Sequence, residues 1–256
     1  MQTLTLAVEA MATRFELVLC GDEAHGLRAA GEAALEAIAE SEALLSRFER
    51  SAAVARLARA AGGPPLRLLP ELIELLALCI EAKAATGGAF DPLWRTGGEL
   101  WLDRERCLAR LEPAGSELDL GAVGKGYALD RAGEALRAGG VERALLHGGT
   151  STLLALGPPP GQGAWRFALD LESGERREFE LVDGAFSASS QRRQVVRNGG
   201  LHVQDPRGGP PPAAQALAAV RARDATRADL WSTAALLLAD GPWPELASAS
   251  GVERLL

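Results

Sequence analysis

The chain is short of the residues that make soft-metal sites and cross-links. It has three cysteines, Cys20, Cys79 and Cys107, odd in number and widely spaced, with no CxxC pair. That pattern supplies neither a zinc knuckle nor a disulfide framework. Cys20 and Cys79 stand in apolar runs and read as buried thiols. Three histidines are too few for a histidine-rich metal site. No run approaches the ~18 apolar residues of a membrane span. The start, Met1-Gln-Thr-Leu-Thr-Leu6, lacks a basic segment and a long apolar core, so no export signal is read. The expected compartment is the cytoplasm for the sequence as it stands, or the exterior if an upstream leader has been removed. A net positive charge is also lacking. A net charge of −7 argues against a protein that coats nucleic acid or clings to an acidic membrane surface. Any anionic ligand has to be met by local donors.

What is present is enough apolar material for a core, 47% of 256 residues. There is no internal repeat and no disordered linker, so residues 1–256 read as a single domain. Residues 4–9 and 13–20 are expected as strands, followed by a helix from Asp22 to Phe48 whose apolar face includes Leu27, Ala34, Leu35, Ile38, Leu45 and Phe48. A shorter helix is expected from Ser51 to Ala61, and another from Leu69 to Thr86, with Pro70 in its first turn and Gly87-Gly88 at its end. The stretch Thr96–Pro113 is ambiguous. Leu118–Val123 reads as a strand or extended run, and Lys125–Ala138 as a helix.

Strands are expected at Arg143–His147 and Ser151–Leu156. Trp165–Leu171 and Arg177–Val182 alternate and form a hairpin. Phe186–Ser190 and Ala216–Arg223 are further strands, and Ala225–Ala239 is the last long helix. Helices gather early and strands late, with hairpin links. That order favours an α+β fold with a largely antiparallel sheet over a doubly wound one.

Two segments carry most of the chemistry. The first is Asp119-Leu-Gly-Ala-Val-Gly-Lys-Gly-Tyr-Ala-Leu-Asp130. It is not a P-loop, because Asp119 and Gly126 stand where the first Gly and the Ser/Thr are needed. It is not a dinucleotide fingerprint either, because Leu129 replaces the third Gly. Two readings remain: a plain turn, or a helix start whose free amides and positive dipole face an anion. The second segment is Ala228-Asp-Leu-Trp-Ser-Thr233. Asp229 and Thr233 lie four apart, so they share a helix face. A carboxylate and a hydroxyl there suit a hard, oxygen-seeking cation. The plain alternative is a first-turn acid favoured by the helix dipole, with a packed threonine.

Three lesser segments have similar double readings. In Gly200-Leu-His202-Val-Gln-Asp-Pro-Arg207, His202 is a satisfied half-buried side chain or a working one, and Arg207 offers a planar fork for phosphate. Gly88-Ala-Phe-Asp91-Pro92 is a turn. His147-Gly-Gly-Thr150 is either a bulge or a place where a ligand approaches bare backbone.

Together and in this order, the segments resemble the ApbE family of FAD:protein FMN transferases. Met11-Ala-Thr13 is similar to the family's Met-Gly-Thr. Ser46-Arg-Phe48 with Ser51 resembles its flavin-contacting turn, and Gly88–Pro92 its Gly-Ala-Phe-Asp-Pro. Asp119–Asp130 resembles its most distinctive run. His202–Arg207 resembles its His-Ile-x-Asp-Pro-Arg, and Ala228–Thr233 its Ala-Asp-Ala-x-Ser-Thr. The resemblance covers about Met11 to Ala239. It implies an ApbE-like α+β fold with flanking helices and an internal ligand cleft, with FAD as substrate and Mg²⁺ as cofactor. The metal ligands would be the Gly124 carbonyl, Asp229 and Thr233. Met11 would lie by the adenine and Phe48 by the flavin ring. Ala89, Phe90, Asp91, Gly121, Tyr127 and Val203 would complete the pocket, with Lys125 and Arg207 as phosphate contacts and His202 as the catalytic residue. The partner would be an acceptor flavoprotein with a Ser/Thr-Gly-Ala-Thr motif, flavinylated on threonine with release of AMP. The alternatives are hydrolysis of FAD to FMN and AMP, and a flavin-binding protein without catalysis. This chain departs from the family pattern at Thr150, where many relatives have an acid, and at Ala188-Ser-Ser190 in place of Thr-Ser-Gly. Ala58 stands for an asparagine and Leu230 for an alanine.

Overall fold

The computed structural model describes residues 1–171, 174–191, 203–209, 212–213, 216–239 and 241–256. The chain opens with a hairpin of β1 (Gln2–Ala10) and β2 (Thr13–Gly21), in which Ala10 pairs with Thr13. Only Met11 and Ala12 are left for the turn, and both take positive φ, 51° and 57°. A two-residue turn of this hand suits the strand twist and normally calls for Gly or Asn. Here neither residue is Gly, and the Met11 amide is held by Glu42 Oε1 at 2.6 Å.

Helix α1 (Ala24–Leu45) buries Leu27, Ala34, Ile38 and Leu45. It stops three residues before the expected end. The Ser46 hydroxyl accepts from the amides of Phe48 and Glu49 at 3.2 and 3.0 Å, so a local serine turn takes the place of the next helical turn. Phe48 is therefore not on the helix's apolar face but 78% exposed. Helix α2 (Ala53–Arg59), the short β3 (Leu66–Arg67) and α3 (Pro70–Ala85) follow. The ambiguous stretch is a hairpin, β4 (Glu99–Asp103) with β5 (Leu108–Glu112). Leu118–Val123 forms no strand. It is a loop pinned by the Asp119 amide to the Pro92 carbonyl at 2.8 Å, ending in a turn that starts α4 (Gly124–Ala138).

Strands β6 (Arg143–Gly148), β7 (Thr152–Leu156), β8 (Trp165–Asp170), β9 (Arg176–Leu181), β10 (Gly184–Ser190) and β11 (Leu217–Ala222) come next. Helices α5 (Ala225–Leu238) and α6 (Glu245–Ala249) and strand β12 (Glu253–Arg254) end the chain. The main sheet has seven strands in the order β1-β2-β6-β7-β10-β11-β12. Each pairing among the described residues is antiparallel. Alternate residues along a strand face opposite sides, and the sheet uses this to separate two cores. Leu146 and Leu154 belong to the large core with α1, α4 and α5. Leu145, Leu153 and Phe186 face a smaller one covered by the β8–β9 hairpin, where Phe167 meets Phe186 edge to face at 4.7 Å.

Helices α4 and α5 are bound to each other at their starts. Asp130 on α4 accepts from the Ala225 and Thr226 amides, each at 2.8 Å, and from the Thr226 hydroxyl at 2.5 Å. It thus caps the N-terminus of α5 from a neighbouring helix. Gly126 allows the close approach: a Cβ there would lie 2.0 Å from the Ala225 carbonyl oxygen. This junction brings the two chemistry-bearing segments, about a hundred residues apart in sequence, side by side.

Candidate active site

A cavity of about 1050 Å³ lies over the junction. Its wall includes Gly124 and Lys125 from the start of α4 and Asp229 and Thr233 from α5. Met11, Phe48, Ala89, Phe90, Asp91, Gly121 and Val203 also line it. Tyr127 and Arg207 do not. Tyr127 is buried among apolar side chains, and burial pushes its phenol up. The Arg207 fork is spent on Asp205, with contacts at 2.9 and 2.7 Å, so it is not free for phosphate. His202 lies outside the described residues, as does the start of its motif.

Asp229 is the most heavily bonded acid in the wall. Its side chain is 3% exposed. Oδ1 accepts from the Thr152 hydroxyl at 2.9 Å and lies 3.1 Å from Lys125 Nζ. Oδ2 accepts from the Gly126 amide at 3.1 Å and from Lys125 Nζ at 3.3 Å. A helix start, a strand and a helix interior therefore converge on one carboxylate.

Behind Asp229 runs a chain of hydroxyls: Thr152 to Ser187 at 3.1 Å, Ser187 to Ser232 at 3.1 Å, Ser232 to Ser189 at 2.8 Å and Ser189 to Thr233 at 3.3 Å. A hydroxyl has one proton and two acceptor sites, whereas a carboxylate only accepts. Thr152 donates to Asp229, so Ser187 donates to Thr152. Ser232 donates to the Asp229 main-chain carbonyl at 2.9 Å, so Ser189 donates to Ser232 and Thr233 to Ser189. These bonds use the Thr233 proton and leave its oxygen as an acceptor at the cavity wall. Thr152, Ser187, Ser189 and Ser232 are site residues that sequence reading missed. They come from three elements and have no common spacing to reveal them.

The cavity wall also carries arginine over aromatic rings. The Arg47 guanidinium lies 4.1 Å from the Phe48 ring centre, and that of Arg95 lies 5.0 Å from the Trp94 ring. Both arginines approach Asp119, at 3.8 and 3.9 Å, and the Gly121 amide donates to the same carboxylate at 3.0 Å. Asp91 is paired with Lys83 at 2.7 Å. Among the described residues of the wall, five are acids (Glu42, Asp91, Asp119, Asp170, Asp229) and three are bases (Arg47, Arg95, Lys125). This described part of the wall is negative on balance, so an anionic ligand against it needs added positive charge. Among the described residues no group of three or more His, Cys, Asp or Glu could hold a metal ion. The hard oxygen donors at the Asp229 end are one carboxylate and one hydroxyl, with main-chain carbonyls beside them.

The ApbE family model matches residues 11–112 and 100–256. The chain belongs to the ApbE family. An FAD:protein FMN transferase of Klebsiella pneumoniae is 26% identical over 230 residues, 75% of this chain and 70% of that protein. Another, of Rhodobacter capsulatus, is 32% identical over 148 residues, 55% of this chain but only 28% of that protein. Among solved structures, an ApbE protein of Thermotoga maritima superposes with a TM-score of 0.81 at 22% identity, covering 99% of this chain and 97% of that one. The flavin transferase ApbE of Vibrio cholerae gives 0.78 at 18% identity, covering 99% and 93%. These likenesses establish the α+β ApbE fold, whose sheet is antiparallel as its residue pattern suggests. No helix among the described residues is long and apolar enough to cross a membrane.

Proposed function

We propose that this chain transfers FMN from FAD to a threonine hydroxyl of an acceptor flavoprotein and releases AMP, assisted by Mg²⁺. The observation that carries the reading is the meeting of Gly124, Asp229 and Thr233 in the wall of a cavity that also holds the aromatic and arginine groups a flavin nucleotide needs. The residues fit a hard cation. Asp229 supplies a buried carboxylate, the hydroxyl chain leaves Thr233 as an acceptor, and the Gly124 carbonyl would complete the set. Held there, such an ion would supply positive charge to the diphosphate and so favour the departure of AMP.

The rest is positioning by this chain's own groups. Phe48 and Trp94 offer faces to an isoalloxazine or adenine ring. Lys125 and Arg47 supply positive charge to a diphosphate. The acceptor oxygen attacks the FMN phosphorus, a new P–O bond forms, and the P–O bond to AMP breaks. The hydroxyl proton is assigned to His202, on the chemistry of histidine and its place in the family-like motif.

The test is AMP release from FAD with and without Mg²⁺, in the presence of a co-expressed acceptor domain carrying Ser/Thr-Gly-Ala-Thr. The expected result is Mg²⁺-dependent AMP release together with a fluorescent acceptor that keeps its flavin after denaturation. AMP without a labelled acceptor assigns FMN to water and makes the protein a hydrolase. Flavin binding without AMP release overturns catalysis.

A further inference from the structure

Only two of the 27 lysine and arginine residues are lysines, Lys83 and Lys125. Both ammonium groups rest on an aspartate of the cavity wall: Lys83 on Asp91 at 2.7 Å, and Lys125 on both oxygens of Asp229 at 3.1 and 3.3 Å. Everywhere else the chain uses arginine. The two cations differ physically. Arginine is a rigid planar fork, whereas lysine is a compact charge on a flexible stem.

A carboxylate has about four acceptor positions. At Asp229 all of these are taken, by Thr152, the Gly126 amide and Lys125 twice. A divalent ion at Asp229 therefore needs one donor to leave. The Gly126 amide is fixed in α4 and cannot. Thr152 is fully buried and anchored by Ser187. The Lys125 side chain is 23% exposed and lies in the cavity wall. It is the one donor with somewhere to go.

We infer that Lys125 is a placeholder: its ammonium holds the cation position at Asp229 in the metal-free protein and moves off when a divalent ion arrives, onto the phosphates of the ligand. The inference rests on the metal-and-diphosphate reading of the site given above. It explains why a carboxylate this buried is tolerated before loading: the lysine neutralises it, where an unpaired buried charge would cost several kcal/mol. It also couples the two ligands. The displaced ammonium has an anion to pair with only when the diphosphate is present, so each ligand favours the other.

The scarcity of lysine makes the test direct. The full chain is acylated with an amine-specific reagent and the two lysine peptides are quantified by mass spectrometry, with Lys83 as the internal reference. Magnesium chloride at a concentration that saturates binding is expected to raise Lys125 acylation severalfold relative to Lys83. Adding ADP as a diphosphate probe is expected to lower it again. In calorimetry, Lys125→Met is expected to bind Mg²⁺ about tenfold more tightly than the parent, within the usual range of coupling between sites. Binding in Lys125→Met with none in the parent at the same concentration supports the same conclusion. Mg²⁺ binding with unchanged Lys125 acylation and unchanged affinity in the variant overturns the placeholder alone. No heat of Mg²⁺ binding in either protein overturns the placeholder and the metal site together.

Discussion

The two lysine–aspartate pairs are chemically identical and physically opposite. Lys83 and Asp91 meet at the edge of the cavity, 35% and 13% exposed, and Asp91 has one other tie, the Leu93 amide at 2.8 Å. Lys125 and Asp229 meet at its base, 23% and 3% exposed, with a strand hydroxyl and a helix amide on the same carboxylate. A pair that solvent still screens, as at the 35% exposed Lys83, contributes about 1 kcal/mol. Breaking a buried one leaves an orphaned charge and costs ~3–5 kcal/mol. What the difference teaches is that the partners behind the carboxylate, not the ion pair itself, decide whether a site becomes structural or chemical.

The sharpest way to break the comparison is to remove each acid. Asp229→Ala is expected to destabilise the protein by ~3–5 kcal/mol in urea unfolding and to abolish Mg²⁺-dependent AMP release. Asp91→Ala is expected to cost ~1 kcal/mol. Equal losses in the two variants would sink the distinction. Next in size is Thr152→Val, which keeps the shape and removes the donor to Asp229. The expected loss is ~1–3 kcal/mol, read by the same unfolding.

A third acid, Asp130, extends the comparison to a half-buried carboxylate that has amides and a hydroxyl but, among the described residues, no paired cation. Burial pushes it up to about 6 from 3.8, against the lowering by the Thr226 hydroxyl and the two amides. The folded form therefore holds the proton more tightly than the unfolded one, and this group's contribution to stability falls as pH rises from about 4 to about 6. In Asp130→Asn that slope is expected to vanish. The stability difference between parent and variant should change across this window and be flat above it. The smallest expected effect has the opposite sign. Ala12→Gly relieves a left-handed alanine and should stabilise by about 0.5–1 kcal/mol, seen as a higher midpoint in urea.

Much of this was legible from residues alone, for physical reasons that differ by element. α4 announces itself by the glycine-rich turn at its start and α5 by its long apolar run; the Asp224 side chain that caps α5, accepting from the Arg227 amide, emerges only in the structure. The β8–β9 hairpin shows through its alternation. The β4–β5 hairpin does not, because its turn has no Gly or Asn: Cys107 takes the left-handed φ of 53°. The end of α1 is not legible in the sequence, because Phe48 continues the apolar spacing while Ser46 terminates the helix by a local bond that spacing does not report. At the site, Asp229 and Thr233 were visible because they share one helix face. The hydroxyl chain was not, since Ser187 and Ser189 lie on a strand, Thr152 on another and Ser232 on a helix, and only the fold brings them together.

Of the five tryptophans, Trp94 lies in the described cavity wall, while the buried Trp231 packs against the half-buried Trp243. Indole emission overlaps flavin absorption, and a ring seated against Trp94 darkens it. On the proposed reading, flavin loading would be followed by light, without a label, and Trp94→Phe should leave the remaining emission less responsive to added flavin.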